Sequence, residues 1–148
     1  MSNKIPVPIR VLDEELIPAY ATPFASGCDA RASIVEQMTI APGHTAIVPT
    51  GIQIELPEGF EIQVRPRSGF AAKNQVTVLN TPGTIDSDYR GEICVIMINL
   101  GKEPFIVTPK MRIAQLVLSP VIQAEFVRQE TLSETERGVG KFGHTGEN

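Results

Sequence analysis

The sequence has few of the features that mark several common protein classes. Its 148 residues include only two cysteines, Cys28 and Cys94, which are too few for a disulfide framework. No apolar run approaches the roughly 18–20 residues that a membrane-spanning helix needs. No apolar segment follows a basic start in Met1–Arg10. We therefore expect a single cytoplasmic domain with no membrane partner.

Three further absences narrow the possible functions. The formal net charge is −4, so the basic excess typical of nucleic-acid-binding proteins is missing. The two histidines, His44 and His144, lie far apart and have no cysteines at zinc-finger spacing. No Gly-x-x-x-x-Gly-Lys-Ser/Thr segment occurs. We expect neither a nucleic-acid partner nor a structural zinc site nor a P-loop.

Proline and glycine are abundant, with twelve of each, and they divide the chain into short segments. Apolar and polar residues alternate in Gly51–Leu56 and Phe60–Arg65, which is typical of strands with one buried face. Room for one short helix remains near Ala71–Lys73. The sequence therefore predicts an all-β fold with at most one short helix. The other predicted strands are Ile5–Val11, Met38–Ile40, Thr45–Val48, Val76–Leu79, Ile93–Leu100, Phe105–Val107, Arg112–Leu118 and Val121–Val127, the last completing the core.

Two of these strands carry a more specific expectation. Ile93–Leu100 is apolar on both faces, so it is either buried on both sides or buried on one side and covered by a neighbouring subunit on the other. Gln115 is the one polar residue between Ala114 and Leu116. Because a buried amide is costly without a hydrogen bond, we expect it to have a specific partner.

The chain changes character at Gln129, after which it lacks the apolar content to order itself. We predict a folded domain over residues 1–128 and a flexible C-terminal flap over residues 129–148. Gly138-x-Gly140-x-x-Gly143 matches the dinucleotide fingerprint literally, but it follows a polar segment and precedes only five residues, so that interpretation is rejected. A flap that orders over ligand and a disordered tail without a role remain the two alternatives.

The densest group of functional side chains lies in Asn80–Ile96. Pro82-Gly83 is a turn signal, and the acids Asp86 and Asp88 crowd with Tyr89 and Arg90 at the mouth of a predicted β-hairpin. Six of the eight arginines lie in or beside this stretch and four other segments, which suggests a small polyanion site, because arginine suits forked bonding to phosphate. For the mouth of the hairpin, the alternative to a functional site is an ordinary charged turn that is exposed to solvent. The six are Arg31, Arg65, Arg67, Arg90, Arg112 and Arg137.

The segment Asn-Thr-Pro-Gly-Thr-Ile-Asp-Ser-Asp-Tyr-Arg-Gly-Glu-Ile, residues 80–93, resembles the third signature motif of the trimeric dUTP pyrophosphatases (dUTPases). Four other segments resemble the remaining motifs of that family in the same order. They are Ser26–Ala32, Pro66–Ala71, Arg112–Leu116 and Arg137–Gly146.

The resemblance implies a distorted jelly-roll β-barrel or sandwich that assembles as a homotrimer, with sites shared between subunits and the tail reaching a neighbour. It implies Mg²⁺-assisted attack of water on the α-phosphate of dUTP, giving dUMP and pyrophosphate. That reaction limits uracil in DNA and supplies dUMP for dTMP synthesis. The ion is expected to arrive on the triphosphate with its own waters.

The resemblance also implies roles for individual residues. Asp86 is the expected general base, Ser68 lies near the leaving group, and Gln115 lies near the α-phosphate and the water. Tyr89 packs on the deoxyribose and excludes a 2′-hydroxyl, and Asp29 touches the metal ion's water shell. Arg112 is a structural or phosphate contact. The remaining expected substrate contacts are Arg67, Gly69, Asn80, Thr84, Ile85, Cys94, Arg137, Phe142, Gly143, His144 and Thr145.

Two other functions stay open at this point. The related dCTP deaminases carry a catalytic Glu on the return strand, where this chain has Ile96. A nucleotide sensor without catalysis would use the same fold, although intact Asp86 and Gln115 argue against it. In the flap, Lys141 and His144 depart from the family's usual Gly and Ser, which bears on closure over the γ-phosphate.

Overall fold

The computed structural model describes residues 4–146, and within them the secondary structure is almost entirely β. A 3₁₀ turn spans Glu14–Leu16, and the α-helix α1 spans Ser68–Asn74. The strands are β1 (Ile9–Val11), β2 (Cys28–Arg31), β3 (Met38–Ile40), β4 (Thr45–Pro49), β5 (Ile52–Ile54), β6 (Phe60–Arg65), β7 (Val76–Val78), β8 (Gly83–Ile85), β9 (Cys94–Asn99), β10 (Phe105–Val107) and β11 (Arg112–Pro120).

All strand pairs are antiparallel, and they form two larger and two smaller sheets. The larger ones have the orders β2-β11-β6-β8 and β4-β9-β7, and the smaller ones are β1-β5 and β10-β3. One apolar core, which includes Ile52, Ile40, Leu116 and Met97, draws a residue from each of the four sheets. The predicted all-β fold with one short helix is confirmed, and the sheets do not close into a barrel. Within residues 4–146, no helix has the length and apolarity to cross a bilayer.

Strand β9 has one buried and one half-exposed face. Val95, Met97 and Asn99 are at most 1% exposed, whereas the alternate residues Ile96 and Ile98 are half-buried. Each fully buried Val or Met side chain stabilises the fold by about 1.5–3 kcal/mol. One of the two expectations for this strand, burial on both sides, is therefore wrong for the single chain.

Several predicted element boundaries are wrong. The helix begins at Ser68 instead of Ala71, so that Arg67 is its N-terminal cap residue. The first strand begins at Ile9 instead of Ile5, because Pro6 and Pro8 lack the N–H donors that a ladder needs. The predicted hairpin pairs as β7 with β9, but β8, within the connection, pairs with β6 in the other large sheet.

The predicted strand Val121–Val127 does not complete the core. No helix or strand follows Pro120 in the described part of the chain, and Ile122 and Phe126 are each 96% exposed. The segment is attached at its start, where Val121 N–H donates to Gly59 O (2.8 Å). Its sequence pattern is typical of a strand, but no strand within residues 4–146 pairs with it. The domain boundary at residue 128 stays a prediction, and its outer limits at residues 1–3 and 147–148 lie outside the described residues.

Candidate active site

Three neighbouring strands place the candidate phosphate residues at one end of the larger sheet. Asp29 on β2 is directly opposite Gln115 on β11, and Gln115 is also opposite Arg65, the last residue of β6. The loop after β6 then carries Arg67 to the same end, and Arg112 begins β11. Three segments that are far apart in sequence therefore meet through strand register.

The Asp29 carboxylate lies between two guanidinium groups. Its Oδ1 is 3.7 Å from Arg67 Nε, and its Oδ2 is 3.4 Å from Arg112 Nη1. Arg67 Nη1 also donates to the main-chain oxygen of Arg112 (3.2 Å), and its guanidinium carbon lies 5.2 Å from the centre of the Phe70 ring. Asp29 is only 8% exposed, whereas the Arg67 and Arg112 side chains are 30% and 47% exposed. The buried acid thus holds two partly solvated cations together, an arrangement that suits phosphate binding.

The other predicted residues of this region have open surroundings. Ser68 and Gly69 are exposed in the first turn of α1, and no atom lies within 4 Å of the place that a Cβ on Gly69 would occupy. Gln115 is half-buried, and its Oε1 would be 3.2 Å from a Cβ on Gly27. The Gln115 amide forms no hydrogen bond within residues 4–146, so its expected partner is not found there. The fully buried amide is that of Asn99, which donates to Ile40 O (2.9 Å).

Asp86 lies in a different place, just after β8 at the exposed end of the loop between β7 and β9. It lines a cavity of about 890 Å³ together with Glu58, Phe60, Asp88 and Arg90. No salt bridge involves Asp86 within the described residues. A free, solvated carboxylate is able to accept a proton from water.

The predicted uracil-contacting residues surround β8. Asn80 is exposed beside Gly83, where a Cβ would lie 3.4 Å from Asn80 Nδ2. Thr84 is exposed and Ile85 is half-buried. Cys94 begins β9, and burial, followed by the nearby charge of Glu92, raises the pKa of its thiol.

Tyr89 follows the same loop, with its ring 43% exposed and its hydroxyl donating to Glu92 O (2.9 Å). This residue and Asp86 are joined by a turn, because Tyr89 N–H donates to Asp86 O (3.2 Å). Sequence reasoning left the two residues that follow Arg90, Gly91 and Glu92, without a role. The signal that would have found them is a glycine two residues after an aromatic one.

The predicted flap residues lie together but apart from the sheets. Arg137, Phe142 and His144 line a cavity of about 520 Å³ with their neighbours, and the Phe142 ring is fully exposed. The cavity's other lining residues are Lys141, Gly143 and Thr145. The tail residues therefore line a surface of their own. Among the described residues, no hydrogen bond joins the tail to Asp86 or Asp29.

The predicted site is divided within one chain. Ile85 pairs with Ile62 on β6, whereas Gln115 pairs with Arg65, so Asp86 and Gln115 lie at opposite ends of that strand. At 3.3 Å a residue and about 4.8 Å between strands, their separation is roughly 15 Å. The predicted water-activating acid is thus too far from the arginine pair for both to contact one phosphate group in a single subunit.

The expected small polyanion site stays a prediction. Within residues 4–146, Arg67 and Arg112 are the two of the six arginines that share a partner, Asp29. The others bond elsewhere: Arg31 to Lys110 O (3.0 Å), Arg65 to Gln63 Oε1 (2.7 Å), Arg90 to Ser87 O (2.6 Å) and Arg137 to Gly140 O (3.3 Å).

No group of three or more His, Cys, Asp or Glu side chains within residues 4–146 is arranged to hold a metal ion. The Asp29 carboxylate is occupied by two arginines, and its Oδ1 is buried without a hydrogen bond in that part of the chain. Its expected contact with the water shell of a metal ion stays a prediction. The donor set suits an ion that brings its own ligands, since Mg²⁺ commonly keeps several waters and binds through substrate phosphates.

Comparison with known proteins identifies the family. The dUTPase family model matches residues 13–146. The chain is 64% identical over 131 residues to the deoxyuridine 5'-triphosphate nucleotidohydrolase of Chlamydia pneumoniae, which covers 88% of this chain and 90% of the relative. It is 60% identical over 132 residues to the enzyme of the same name from Chlamydia trachomatis serovar D, covering 88% and 91%.

Solved structures support the fold. The structure of Staphylococcus bacteriophage 80alpha dUTPase with dUpNHpp has a TM-score of 0.80 at 23% identity, covering 98% of this chain and 99% of that one. A mutant dUTPase from phage phi11 of S. aureus, described with a structural Mg(II) ion, has a TM-score of 0.76 at 19% identity, covering 86% and 98%. The neighbours confirm the jelly-roll fold, and with the family match and the close relatives they lead to one conclusion: the chain belongs to the dUTPase family.

Proposed function

We propose that this chain hydrolyses dUTP to dUMP and pyrophosphate through attack of water on the α-phosphate. The observation that carries the proposal is the arginine pair on buried Asp29, which lies in a chain that belongs to the dUTPase family. Phosphoryl chemistry depends mainly on positioning and charge neutralisation, which such a pair provides. The reaction removes dUTP and so limits uracil in DNA, and its product dUMP is a precursor of dTMP.

The arginine region binds the phosphates in this proposal. Arg67 and Arg112 neutralise phosphate oxygens, and Ser68 and Gly69 add donors from the start of α1. Gln115 orients the attacking water beside the α-phosphate. Flap residues close over the substrate: Arg137, Gly143, His144 and Thr145 contact the phosphates, and Phe142 covers the base.

The β8 loop reads the nucleoside and activates the water. Asp86, which is exposed, takes the proton of the attacking water. Asn80 and the main chain at Thr84 and Ile85 bond the uracil edge, with Cys94 close by. Tyr89 packs on the deoxyribose.

Mg²⁺ enters as part of the substrate and neutralises the charge that develops on the triphosphate. Because the described residues contain no cluster of three ligands, the phosphates and water supply most of its coordination shell. Asp29 is the residue proposed to touch a water of that shell while it holds the arginines. Loss of Mg²⁺ therefore lowers turnover without unfolding the protein.

A homotrimer with shared sites explains the division of the site. Asp86 of one subunit meets the arginine pair of another, and the flap over residues 129–148 reaches a neighbour from the domain formed by residues 1–128. Two exposed apolar surfaces support this assembly. One is the outer face of β4 and β9, where Ile47 is 65% exposed opposite half-buried Ile96, and the other is Val121–Val127.

The test is pyrophosphate release with Mg²⁺ from dUTP, UTP, dTTP and dCTP in parallel samples, with ammonia followed in the dCTP sample. We expect release from dUTP alone. Ammonia from dCTP would place the chain among the deaminases despite Ile96. No product from any nucleotide, with dUTP still bound, would replace the enzyme with a nucleotide sensor.

A further inference from the structure

The Tyr89 ring rests against Gly91, and the contact leaves no room for a side chain there. A Cβ atom on Gly91 would lie 2.5 Å from Tyr89 Cζ and 2.9 Å from Cε2. Carbon atoms in ordinary contact are about 3.5–4.0 Å apart. Any other residue at this position would therefore displace the ring by on the order of 1 Å.

The hydroxyl of the same ring has a fixed partner. Tyr89 Oη donates to Glu92 O (2.9 Å), so the ring is held by its tip as well as by its edge. The turn from Asp86 to Tyr89 fixes the near end of the side chain through the Tyr89 N–H. With these contacts in place, Tyr89 is still 43% exposed.

The main chain under the ring is attached to the core. Glu92 Oε1 accepts from Gly51 N–H (2.8 Å), and Gln53 Nε2 donates to Arg90 O (2.9 Å). Directly after Glu92, Ile93 is fully buried, and its N–H donates to Ile52 O (2.9 Å). The support of the ring is thus part of the folded domain and not of a free loop.

We propose that Gly91 and Glu92 are positioning residues for sugar specificity: together they form a support that fixes the Tyr89 ring where it discriminates deoxyribose from ribose. The inference rests on the proposed function, because it assumes that Tyr89 contacts the sugar. A ring that is held in place can exclude the added hydroxyl of ribose. A displaced ring would fit neither deoxyribose nor ribose well. Apolar surfaces reject an added hydroxyl by about 10²-fold, which sets the scale of the effect.

Gly91→Ala tests the support directly. We expect the ratio of kcat/KM for dUTP to that for UTP to fall about tenfold, on the scale of discrimination by shape. The matched control is Gly43→Ala, in a remote turn where a Cβ has no atom within 4 Å but a φ of +76° strains an alanine, so that it reports a loss of stability without a displaced ring. The control should leave the ratio within twofold of the unmodified protein. An unchanged ratio in folded Gly91→Ala protein would overturn the inference.

A second background separates support of the ring from general damage to the loop. In Tyr89→Ala protein there is no ring to displace, so adding Gly91→Ala should change the dUTP/UTP ratio by less than twofold. Non-additivity of this kind is the sign of residues that act through one another. A tenfold change in both backgrounds would show that Gly91 acts through the backbone alone, and the proposal would fail.

A readout that needs no turnover keeps this inference apart from the proposed function. If the unmodified protein released no pyrophosphate from dUTP, the proposed function would fail, whereas the support would still be measurable by NMR. The proton shifts of Gly91 should respond to Tyr89→Leu, which removes the aromatic ring current, much more than those of Gly43. Gly91 shifts that do not respond would contradict the support itself.

Discussion

The two acids that matter most in this chain, Asp29 and Asp86, lie in opposite surroundings. Asp29 is 8% exposed and has a guanidinium group near each of its oxygens. Asp86 is exposed, borders an open cavity and has no salt bridge within residues 4–146. Asp29 is therefore placed to hold two arginines together, whereas Asp86 is open to solvent. In the proposed function this difference corresponds to a positioning role for Asp29 and a general-base role for Asp86.

Under the proposed function, the same comparison accounts for a site that is shared between subunits. The arginine pair is built from β2, β11 and the start of α1, whereas Asp86 and Tyr89 belong to the loop that β8 carries to the other side of β6. The two groups of residues lie on opposite sides of β6 within one chain. In the proposed homotrimer, the two groups from different subunits would form one site.

The most direct test of the difference between Asp29 and Asp86 is the substitution Asp86→Asn. We expect turnover of dUTP to fall by about 10³-fold, because an amide cannot accept the proton of the attacking water. Binding should persist, since the phosphate and uracil contacts remain. Single-turnover kinetics and the affinity for a non-hydrolysable dUTP analogue measure the two effects separately.

The control is Asp88→Asn, which changes an acid two residues away in the same cavity. It should keep turnover within about threefold of the unmodified protein. The general base is the carboxylate at hydrogen-bond distance from the attacking water, and Asp86 is proposed to have that place. Full turnover in Asp86→Asn protein would remove Asp86 from the role of base.

Asp29→Asn is expected to have a smaller and different effect. Without the charge, Arg67 and Arg112 lose the group that holds them together, so kcat/KM should fall about tenfold, mainly through a higher KM. The free energy of unfolding should fall by about 1–2 kcal/mol, less than for a fully buried pair because both arginines are partly solvated.

Glu55→Gln is the matched control for Asp29. It neutralises a carboxylate that is 3.8 Å from Arg90 with both side chains more than half exposed. Exposed pairs of this kind contribute about 0–1 kcal/mol, so urea denaturation should hardly change. Equal losses in the two variants would mean that burial of Asp29 adds nothing.

How much of this was predictable depends on where each residue's partner lies in the sequence. Strand β6 was predicted correctly, because alternation within six residues already identifies its buried face. Val121–Val127 has a similar pattern and was predicted wrongly. An apolar pattern predicts that a segment can form a strand, but it does not show whether the same chain supplies a strand to pair with it. The contact of β8 with β6 was missed for a related reason, because local residues do not encode register between distant strands.

The site followed the same rule. The motif residues could be named in advance, because the resemblance rests on short continuous segments. The pairing of Asp29 with Arg112 joins residues 83 positions apart, and no local pattern announces it. The contacts of Tyr89 with Gly91 and Glu92 depend on the rotamer of the Tyr89 side chain, which the sequence does not specify. The sequence therefore predicted the family and a set of candidate residues, but not the electrostatic partners of those residues.

A third acid, Asp13, refines the comparison and has the smallest expected effect. It is exposed like Asp86 but bonded like Asp29: its carboxylate accepts from Glu15 N–H (3.0 Å) and lies 3.1 Å from Lys110 Nζ. The Glu15 N–H, followed by Lys110, lowers the pKa of Asp13, and the partners Glu15 and Asp13 raise the pKa of Lys110. The ion pair therefore links the 3₁₀ turn to the loop before β11 over a wide pH range.

The sign of each shift sets the pH window of Asp13→Asn, which keeps a side chain able to cap the turn. Stability from a lowered carboxyl pKa is present above the unfolded value, about 3.9, and is lost as pH falls through the folded pKa. Stability from a raised lysine pKa is present below about 10.4 and is lost above the folded pKa. The variant should thus melt slightly below the unmodified protein near pH 7, with the difference in Tm vanishing as the pH falls through the lowered, folded pKa of Asp13. Glu14→Gln, which removes a neighbouring carboxylate that has no salt bridge in the described chain, is the control and should leave the Tm at pH 7 unchanged. A Tm difference for Asp13→Asn that stays constant with pH would mean that charge at Asp13 contributes nothing.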